Sequence, residues 1–331
     1  MHSFLLIRFS SIGDVVLTSP VIRCLRAKFP NAQIDFLTRE PFAPLVQHNP
    51  HVNRVYTFKK DISEVLPQLK EANHTYLIDL HKNLRSALLK MRLSGLVFTF
   101  HKLNFRKWLH VRLKIAALPA VHIVDRYLDA LETFGVKNDE KGLELFIPND
   151  ALVPIEALPP SHRSGFIAFA IGAAHFTKRL PDRHWLSMGE KCPYPIVLMG
   201  GKEDRERGDA LAKAIGNKAY NAAGAFNLLQ SASIIQHAMG VVSNDTGLMH
   251  MAAAFQKPIV SLWGNTVPAF GMWPYEPQNS DRIAIVENTS VTCRPCSKIG
   301  YQACPKKHFQ CMESLNPDVI IEALNKTLES N

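Results

Sequence analysis

Short apolar runs rich in β-branched residues alternate with segments of helical period along most of the chain, and this alternation is what most limits the fold. Each run suits one buried strand, and each helical stretch is long enough to cross back over a sheet, as in βαβ units with a parallel sheet. In the first half the strand candidates are Phe4–Phe9, Gln33–Thr38, Arg54–Phe58 and Thr75–Leu80. Helical segments are expected over Asp14–Phe29, Phe42–His48, Ile62–Glu71, Leu84–Leu93 and Val124–Phe134, and an amphipathic basic helix over Leu103–Leu118. A polar stretch, Lys137–Gly142, followed by Pro148, Pro154, Pro159 and Pro160, breaks the pattern and marks a linker. A second series of strands follows at Phe166–Ile171, Ile196–Met199, Val241–Ser243, Ile259–Trp263 and Ile283–Val286. Its helices are expected over Asp182–Lys191, Glu203–Ile215, Leu228–Ala238, Gly247–Phe255 and Pro317–Leu328.

A chain of 331 residues can form two domains, each with its own core. The expected division is 1–155 and 156–331, with the last helix free to pack back on the first domain, and a cleft between domains is the default ligand site. No apolar run approaches the roughly 20 residues that span a bilayer. The start, Met1 to Ile7, is apolar for only four residues before Arg8, so it reads as a first strand and not a leader, which implies the cytoplasm. Lys and Arg outnumber Asp and Glu by 38 to 29, with a pI near 9.2, which favours anionic partners: nucleic acid, lipid headgroups or phosphorylated substrates. No interleaved aromatic motif of the RNA-binding kind accompanies the charge, so nucleic acid is not the expected partner.

Two constellations could carry chemistry. The first is Arg8-Phe9-Ser10-Ser11-Ile12-Gly13-Asp14, directly after the first strand, where open parallel sheets bind ligands. Gly13 permits close backbone approach, and Asp14 either serves a ligand or caps the helix that begins there. No G-x-G-x-x-G follows the strand, which argues against a dinucleotide-dependent oxidoreductase. The second is Ser243-Asn244-Asp245-Thr246-Gly247, ending a buried strand and opening a helix that carries His250 and then Ala252-Ala253-Ala254. A helix start of this kind presents unpaired N–H groups and a positive dipole end to phosphate.

The run Asp245-Thr246-Gly247-x-x-His250, the three alanines and Pro258-Ile259-Val260-Ser261-Leu262-Trp263-Gly264 resemble glycosyltransferase family 9, the ADP-heptose:lipopolysaccharide heptosyltransferases. Ser11-x-Gly13-Asp14, Asp79-Leu80-His81-x-Asn83-x-Arg85-Ser86, Lys178-x-x-Pro181-x-x-His184-Trp185 and Gly200-Gly201-Lys202-Glu203-Asp204 are similar to further motifs of that family, in the same order. The resemblance implies an α/β GT-B fold, two Rossmann-like parallel-sheet domains facing a central cleft, with acceptor on the N-terminal domain and donor on the C-terminal one. It implies an inverting, metal-independent transfer of heptose from ADP-heptose to an anionic lipopolysaccharide inner-core acceptor. Asp14 would be the general base. Lys178 would meet the donor phosphates, Asp245 the sugar, and Thr246, Gly247 and His250 the diphosphate, while Glu203 or Asp204 would hold the nucleoside. Some relatives carry hydroxyl residues just before the lysine, where Ala173 and Ala174 stand here.

Ser11, Gly13, Asn83, Arg85 and Arg106 are the acceptor-side candidates, and Lys82, Lys107, Arg112 and Lys114 add positive charge suited to phosphates or sugar acids. A lipid-linked acceptor would make peripheral association with the inner membrane surface useful. Near the end, Cys293-x₂-Cys296-x₇-Cys304-x₆-Cys311, with His308 inside, offers either a structural zinc site or reduced thiols. No cofactor is expected for catalysis. The competing readings are a GT-B enzyme acting on another nucleotide sugar, transferase or epimerase, and a zinc-containing nucleic-acid-binding protein.

Overall fold

A computed structural model describes residues 2–115 and 118–330. The chain forms two compact units, Met1–Lys102 with Val121–Pro148, and Leu103–Ala120 with Asn149–Asn331. Where the sequence suggests one cut between 155 and 156, the chain thus changes unit three times.

The first unit contains β1 (Ser3–Ile7), α1 (Ile12–Val16), α2 (Ser19–Lys28), β2 (Gln33–Arg39), α3 (Pro44–Gln47) and β3 (Arg54–Phe58). It continues through α4 (Leu66–Ala72), β4 (Tyr76–Asp79), α5 (Leu84–Lys90) and β5 (Leu96–Thr99). Helix α6 (Asn104–Leu113) follows and counts with the second unit, and the chain returns for α7 (Ile123–Leu128). The strands form one parallel sheet in the order β3-β2-β1-β4-β5. Leu5, Ile7, Leu37, Tyr56, Phe58 and Leu77 meet in its core. The long helix expected over Asp14–Phe29 is two helices, because Pro20 cannot continue the preceding turn and the Thr18 hydroxyl donates to the Val15 carbonyl (2.7 Å). Strand β5 is an addition to the sequence reading: Leu96-Val97-Phe98-Thr99 is a four-residue apolar run at the edge of the sheet, with Leu96 and Val97 exposed.

The second unit contains β6 (Ile167–Ala170), α8 (Asp182–Lys191), β7 (Ile196–Met199), α9 (Arg205–Ile215), β8 (Ala219–Asn221) and α10 (Leu228–His237). It ends with β9 (Gly240–Asn244), α11 (Gly247–Ala254), β10 (Ile259–Trp263), β11 (Ile283–Glu287), α12 (Gln310–Glu313) and α13 (Pro317–Glu329). Its sheet is also parallel, ordered β11-β10-β9-β6-β7-β8. Strand β8 is also an addition to the expected strands; its three residues are only half-buried. The last helix packs on its own unit, burying Ile320 and Leu324 with Phe169, Trp185 and Val260. The proline-rich stretch is tied to α10, the Val153 N–H donating to the Ser233 hydroxyl (2.9 Å) and His237 Nε2 meeting the Val153 carbonyl (3.0 Å). Helix α6 is shorter than the expected Leu103–Leu118, of which residues 116 and 117 lie outside the described residues. It is held by Lys107 over the Phe270 ring, 5.3 Å from its centroid, and by Lys114 donating to the carbonyls of Cys293 (2.8 Å) and Pro295 (2.7 Å).

Each sheet reverses its winding once. In the first, β2 and β3 lie on one side of β1 and β4 and β5 on the other; in the second, β7 and β8 lie on one side of β6 and β9, β10 and β11 on the other. Loops separate at such a switch point and leave a crevice beyond the carboxyl ends of the strands. The loops after β1 and β4, and after β6 and β9, flank the two crevices.

Candidate active site

In the first unit, the chain leaves β1 at Arg8 and turns into α1, with Asp14 in its first turn. The Asp14 carboxylate has two jobs on two oxygens. Oδ2 accepts from the Ser11 N–H (3.1 Å) and the Ser11 hydroxyl (2.7 Å), closing the turn as a helix cap does. Oδ1 pairs with the Arg8 guanidinium at 2.5 Å. Arg8 is itself buried, donating to the Ser10 carbonyl (2.8 Å) and the Leu80 carbonyl, with its guanidinium over the Tyr127 ring. Burial would raise the Asp14 carboxyl, but Arg8 and the Ser11 hydrogen bonds outweigh it and hold it at about 2. The carboxylate is therefore ionised throughout the neutral range. Gly13 is buried inside α1.

Asp79, at the end of β4, organises the other side of this crevice. Its Oδ1 accepts from the N–H groups of His81 (3.0 Å) and Lys82 (2.8 Å), and its Oδ2 from the Ser86 hydroxyl (2.9 Å) with Lys90 paired at 2.6 Å. Asn83 caps α5, accepting from the Ser86 N–H at 2.9 Å, and Arg85 points outward from that helix's first turn. His81 packs on Phe9, ring centroids 4.7 Å apart. Burial, then Arg8 and Lys102, push its imidazole down to about 4, so it is neutral at pH 7. Lys102 donates to the His81 carbonyl (2.9 Å). His81, Lys102 and Tyr127 thus join Arg8 and Asp14, although the sequence singled out none of the three as a site residue. Only the Asp79-Leu80-His81 motif hinted at the first.

In the second unit, Lys178 from the loop after β6 and Asp245 from the end of β9 are in contact, Nζ to Oδ2 at 2.6 Å. The Thr266 hydroxyl donates to the same Oδ2 (2.8 Å). Thr246 stands in extended conformation as the N-cap of α11 without a side-chain cap bond, so Gly247 starts a helix whose first N–H groups are not taken up by the cap. His250 is buried one turn further on. Asn244 fixes this geometry: its Nδ2 donates to the carbonyls of Ala170 (3.2 Å), Ile171 (3.1 Å) and Gly172 (3.3 Å), and its Oδ1 accepts from the Leu180 N–H (3.1 Å). One buried amide therefore staples the ends of β6 and β9 to the loop that carries Lys178.

Glu203 and Asp204 separate cleanly. Asp204 is 2 % exposed and turned inward; its Oδ2 accepts from the Gly201 N–H (3.0 Å), and a Cβ at Gly172 would lie 2.1 Å from that oxygen. Burial pushes its carboxyl up. Glu203 beside it is exposed. Arg106 lies on α6, also exposed.

The cysteine segment wraps behind the Asp245 cluster. Arg294 is buried and donates to the carbonyls of Gly264, Trp263 (3.2 Å) and Thr266 (3.0 Å), while pairing with Glu287 at 2.7 Å. Tyr301 exchanges hydrogen bonds with Thr177, next to Lys178: its N–H donates to the Thr177 hydroxyl (2.8 Å), and its carbonyl accepts from the Thr177 N–H (3.1 Å). Cys293 Sγ lies 3.7 Å from His308 Nε2, and the Cys296 thiol donates to the Cys293 carbonyl (3.2 Å). Burial and Cys293 push the Cys296 thiol up to about 12, and burial pushes Cys311 up to about 11. Among the described residues no three His, Cys, Asp or Glu side chains stand together as a metal-holding group. Cys293, Cys296, Cys304 and Cys311 thus share a segment, without a four-ligand shell.

Two parallel α/β units, each with charged side chains gathered at its switch point, have the architecture of the GT-B glycosyltransferases. The pattern of "Glycosyltransferase family 9 (heptosyltransferase)" matches residues 62–305. The chain belongs to glycosyltransferase family 9 and is a glycosyltransferase. It is similar to lipooligosaccharide heptosyltransferase 2 of Haemophilus influenzae, 24% identical over 98% of this chain and 99% of that one. It is also similar to lipopolysaccharide heptosyltransferase 1 of Pseudomonas aeruginosa, 27% identical over 89% and 86% respectively. Among solved structures, the family 9 glycosyltransferase of Veillonella parvula superposes with a TM-score of 0.78 (21% identity, 100% and 98% coverage). E. coli ADP-heptose lipopolysaccharide heptosyltransferase II superposes with 0.73 (22% identity, 99% of both chains). No helix among the described residues is long and apolar enough to cross a membrane.

Proposed function

We propose that this enzyme transfers heptose from ADP-heptose to an anionic inner-core acceptor of lipopolysaccharide, with inversion and without a catalytic metal. The observation that carries the donor half is the Lys178–Asp245–Thr266 cluster at the open start of α11. Phosphate is favoured at a helix N-terminus, and Lys178 adds a full positive charge beside it, so the leaving diphosphate is stabilised as its charge develops. Asp245 is turned toward the same place and meets sugar hydroxyls. Glu203, the carboxylate that faces solvent, receives the ribose, while Asp204 holds the glycine loop in shape. The choice of heptose and of adenine rests on the names of full-length relatives and on a solved heptosyltransferase bound to ADP-2-deoxy-2-fluoro heptose.

Asp14 serves as general base in the acceptor half. A carboxylate held at about 2 is a weak base, but the attacking hydroxyl becomes acidic as its bond to an oxocarbenium-like carbon forms, so a fixed, ionised acceptor of the proton suffices.

A thermal-shift panel of ADP-, UDP-, GDP- and CMP-linked sugars tests the donor, with stabilisation growing with ligand excess. ADP-heptose should give the largest shift and support turnover on a lipopolysaccharide-core acceptor. A larger shift and turnover with another nucleotide sugar would replace the donor assigned here. Lys178→Ala should weaken ADP-heptose binding about 10- to 100-fold, the scale of a charge-assisted hydrogen bond; unchanged affinity would remove Lys178 from the phosphate site. The thiols are proposed to be reduced and metal-free, so elemental analysis of protein purified without chelator should find no stoichiometric zinc. About one zinc per chain would mean that the segment gathers its cysteines after all.

A further inference from the structure

Lys178 and Asp245 are strongly engaged with each other before any donor arrives. Nζ meets Oδ2 at 2.6 Å and also donates to the Asp245 main-chain carbonyl (3.3 Å), so two of the three ammonium hydrogens point at one residue. The third is left for a phosphate. On the carboxylate, Oδ2 accepts from both Lys178 and the Thr266 hydroxyl (2.8 Å), while Oδ1 makes no hydrogen bond with the described residues. The two oxygens therefore have different standing: one is held by the protein and the other is left for a ligand.

Thr266 belongs to the turn Gly264-Asn265-Thr266 after β10, and that turn is fixed along its whole length. All four carbonyls from Trp263 to Thr266 accept hydrogen bonds: those of Trp263 (3.2 Å), Gly264 and Thr266 (3.0 Å) from the Arg294 guanidinium, and that of Asn265 from the Cys296 N–H (3.0 Å). Arg294 is held in turn by Glu287 (2.7 Å) and by the Asn288 carbonyl (2.7 Å). At its other end the turn abuts the Lys178 loop, since a Cβ at Gly264 would lie 2.7 Å from the Thr177 carbonyl oxygen. Three residues thus touch both the chain just before Lys178 and the side chain of Asp245. Thr266 is 2% exposed, so water does not compete for its hydroxyl. The bond is not needed to join β9 to β10. Their ladder already pairs Ser243 with Ser261 and Asn244 with Leu262, and the Asp245 N–H donates to the Leu262 carbonyl (3.3 Å).

We infer that Thr266 is a positioning residue for the transfer: its hydroxyl keeps Oδ2 of Asp245 in place when Lys178 turns to the diphosphate, so that Oδ1 stays aimed at the sugar. The inference rests on the donor roles proposed above for Lys178 and Asp245. A diphosphate carries more negative charge than one carboxylate and draws the ammonium toward itself. Without the hydroxyl, Asp245 would then be a poorly solvated charge with no fixed partner. It would follow the ammonium toward the phosphates, bringing like charge together, or swing about its side-chain torsions and leave the sugar unheld. A neutral donor suits this place, because it fixes the carboxylate without competing with Lys178 for the phosphates.

The test is steady-state kinetics of Thr266→Val and Thr266→Ser with ADP-heptose and a lipopolysaccharide-core acceptor, with ADP binding measured alongside. Thr266→Val keeps the shape and removes the hydroxyl, so kcat should fall about 10- to 100-fold, the range for one hydrogen bond to a charged group. KM for ADP-heptose and Kd for ADP should stay within about threefold of wild type, because Lys178 and α11 still hold the diphosphate. Thr266→Ser keeps the hydroxyl and should bring kcat back to within about threefold of wild type. Thr266→Ala removes the hydroxyl without setting a methyl group against the carboxylate, and should match Thr266→Val. Thermal unfolding confirms that each variant is folded. Folded Val and Ala variants with wild-type kcat, or a Ser variant as slow as Val, would overturn the inference. A rise in KM and Kd as large as the fall in kcat would do the same, by making Thr266 structural only. The donor reading fails differently, through a wild type that does not turn over ADP-heptose. The same ratios are then taken on the nucleotide sugar that the wild type does use, and they decide as before; a wild type that uses none overturns both.

Discussion

Asp14→Asn should lower turnover by about 10²- to 10⁴-fold, the usual scale for a lost general base, while ADP-heptose affinity stays nearly unchanged. The substitution is close in shape, and the side-chain oxygen it keeps can still accept from the Ser11 N–H and hydroxyl, which hold the turn at 3.1 and 2.7 Å in the wild type. What it removes is the negative charge that balances Arg8 and that the proposed mechanism uses to take up the proton. Arg8 is buried and keeps the Ser10 and Leu80 carbonyls as partners, so a thermal melt must accompany the rate measurement to separate lost chemistry from lost packing. Because the carboxyl is held at about 2, the wild-type rate should show no acid limb from Asp14 above about pH 3. A folded Asn variant that turns over normally would exclude Asp14 as the base.

The second large effect concerns a residue outside any motif. Glu276 lies in the second unit, between β10 and β11, only 6 % exposed, and neither carboxylate oxygen has a hydrogen-bond partner among the described residues. Burial pushes its carboxyl from 4.5 up to about 8. Between these two values the unfolded chain releases the proton and the folded chain retains it, so stability falls as pH rises from about 4.5 to about 8 and is level beyond. At 1.36 kcal/mol for each pH unit, the full span is about 5 kcal/mol. Glu276→Gln removes the ionisation and keeps a neutral polar group of the same shape. Urea unfolding should find variant and wild type similar at pH 5, with the variant more stable by several kcal/mol at pH 8. Parallel stability curves for the two proteins across that range would show that Glu276 is solvated or paired in solution.

The course of the chain was largely legible because parallel strands buried on both faces print themselves as continuous apolar runs. Of the two strands added by the structure, both at sheet edges, Ala219–Asn221 is three half-buried residues without that signature, whereas Leu96–Thr99 is apolar but only four residues long, too short to tell a strand from a turn of helix by its pattern. Local motifs placed Asp14 and Asp245 at strand ends, as found, but periodicity does not reveal partners distant in sequence. The meeting of Lys178 with Asp245, the approach of His81 to Phe9 and the hold of Arg294 on the loop after β10 all depend on which strands are neighbours. Glu276 was invisible for another reason: nothing local distinguishes a buried glutamate from an exposed one in an irregular, proline-bearing crossover.

The strap that runs from Arg294 to Tyr301 grips the Lys178–Asp245 cluster on both flanks, at Thr266 and at Thr177. Its own sulfur atoms and prolines take no part in those bonds, so selection can rewrite most of the strap while two anchor points keep the geometry of that cluster constant. Divergence of this loop among relatives would then record drift in stability or redox setting, with donor preference left as it was.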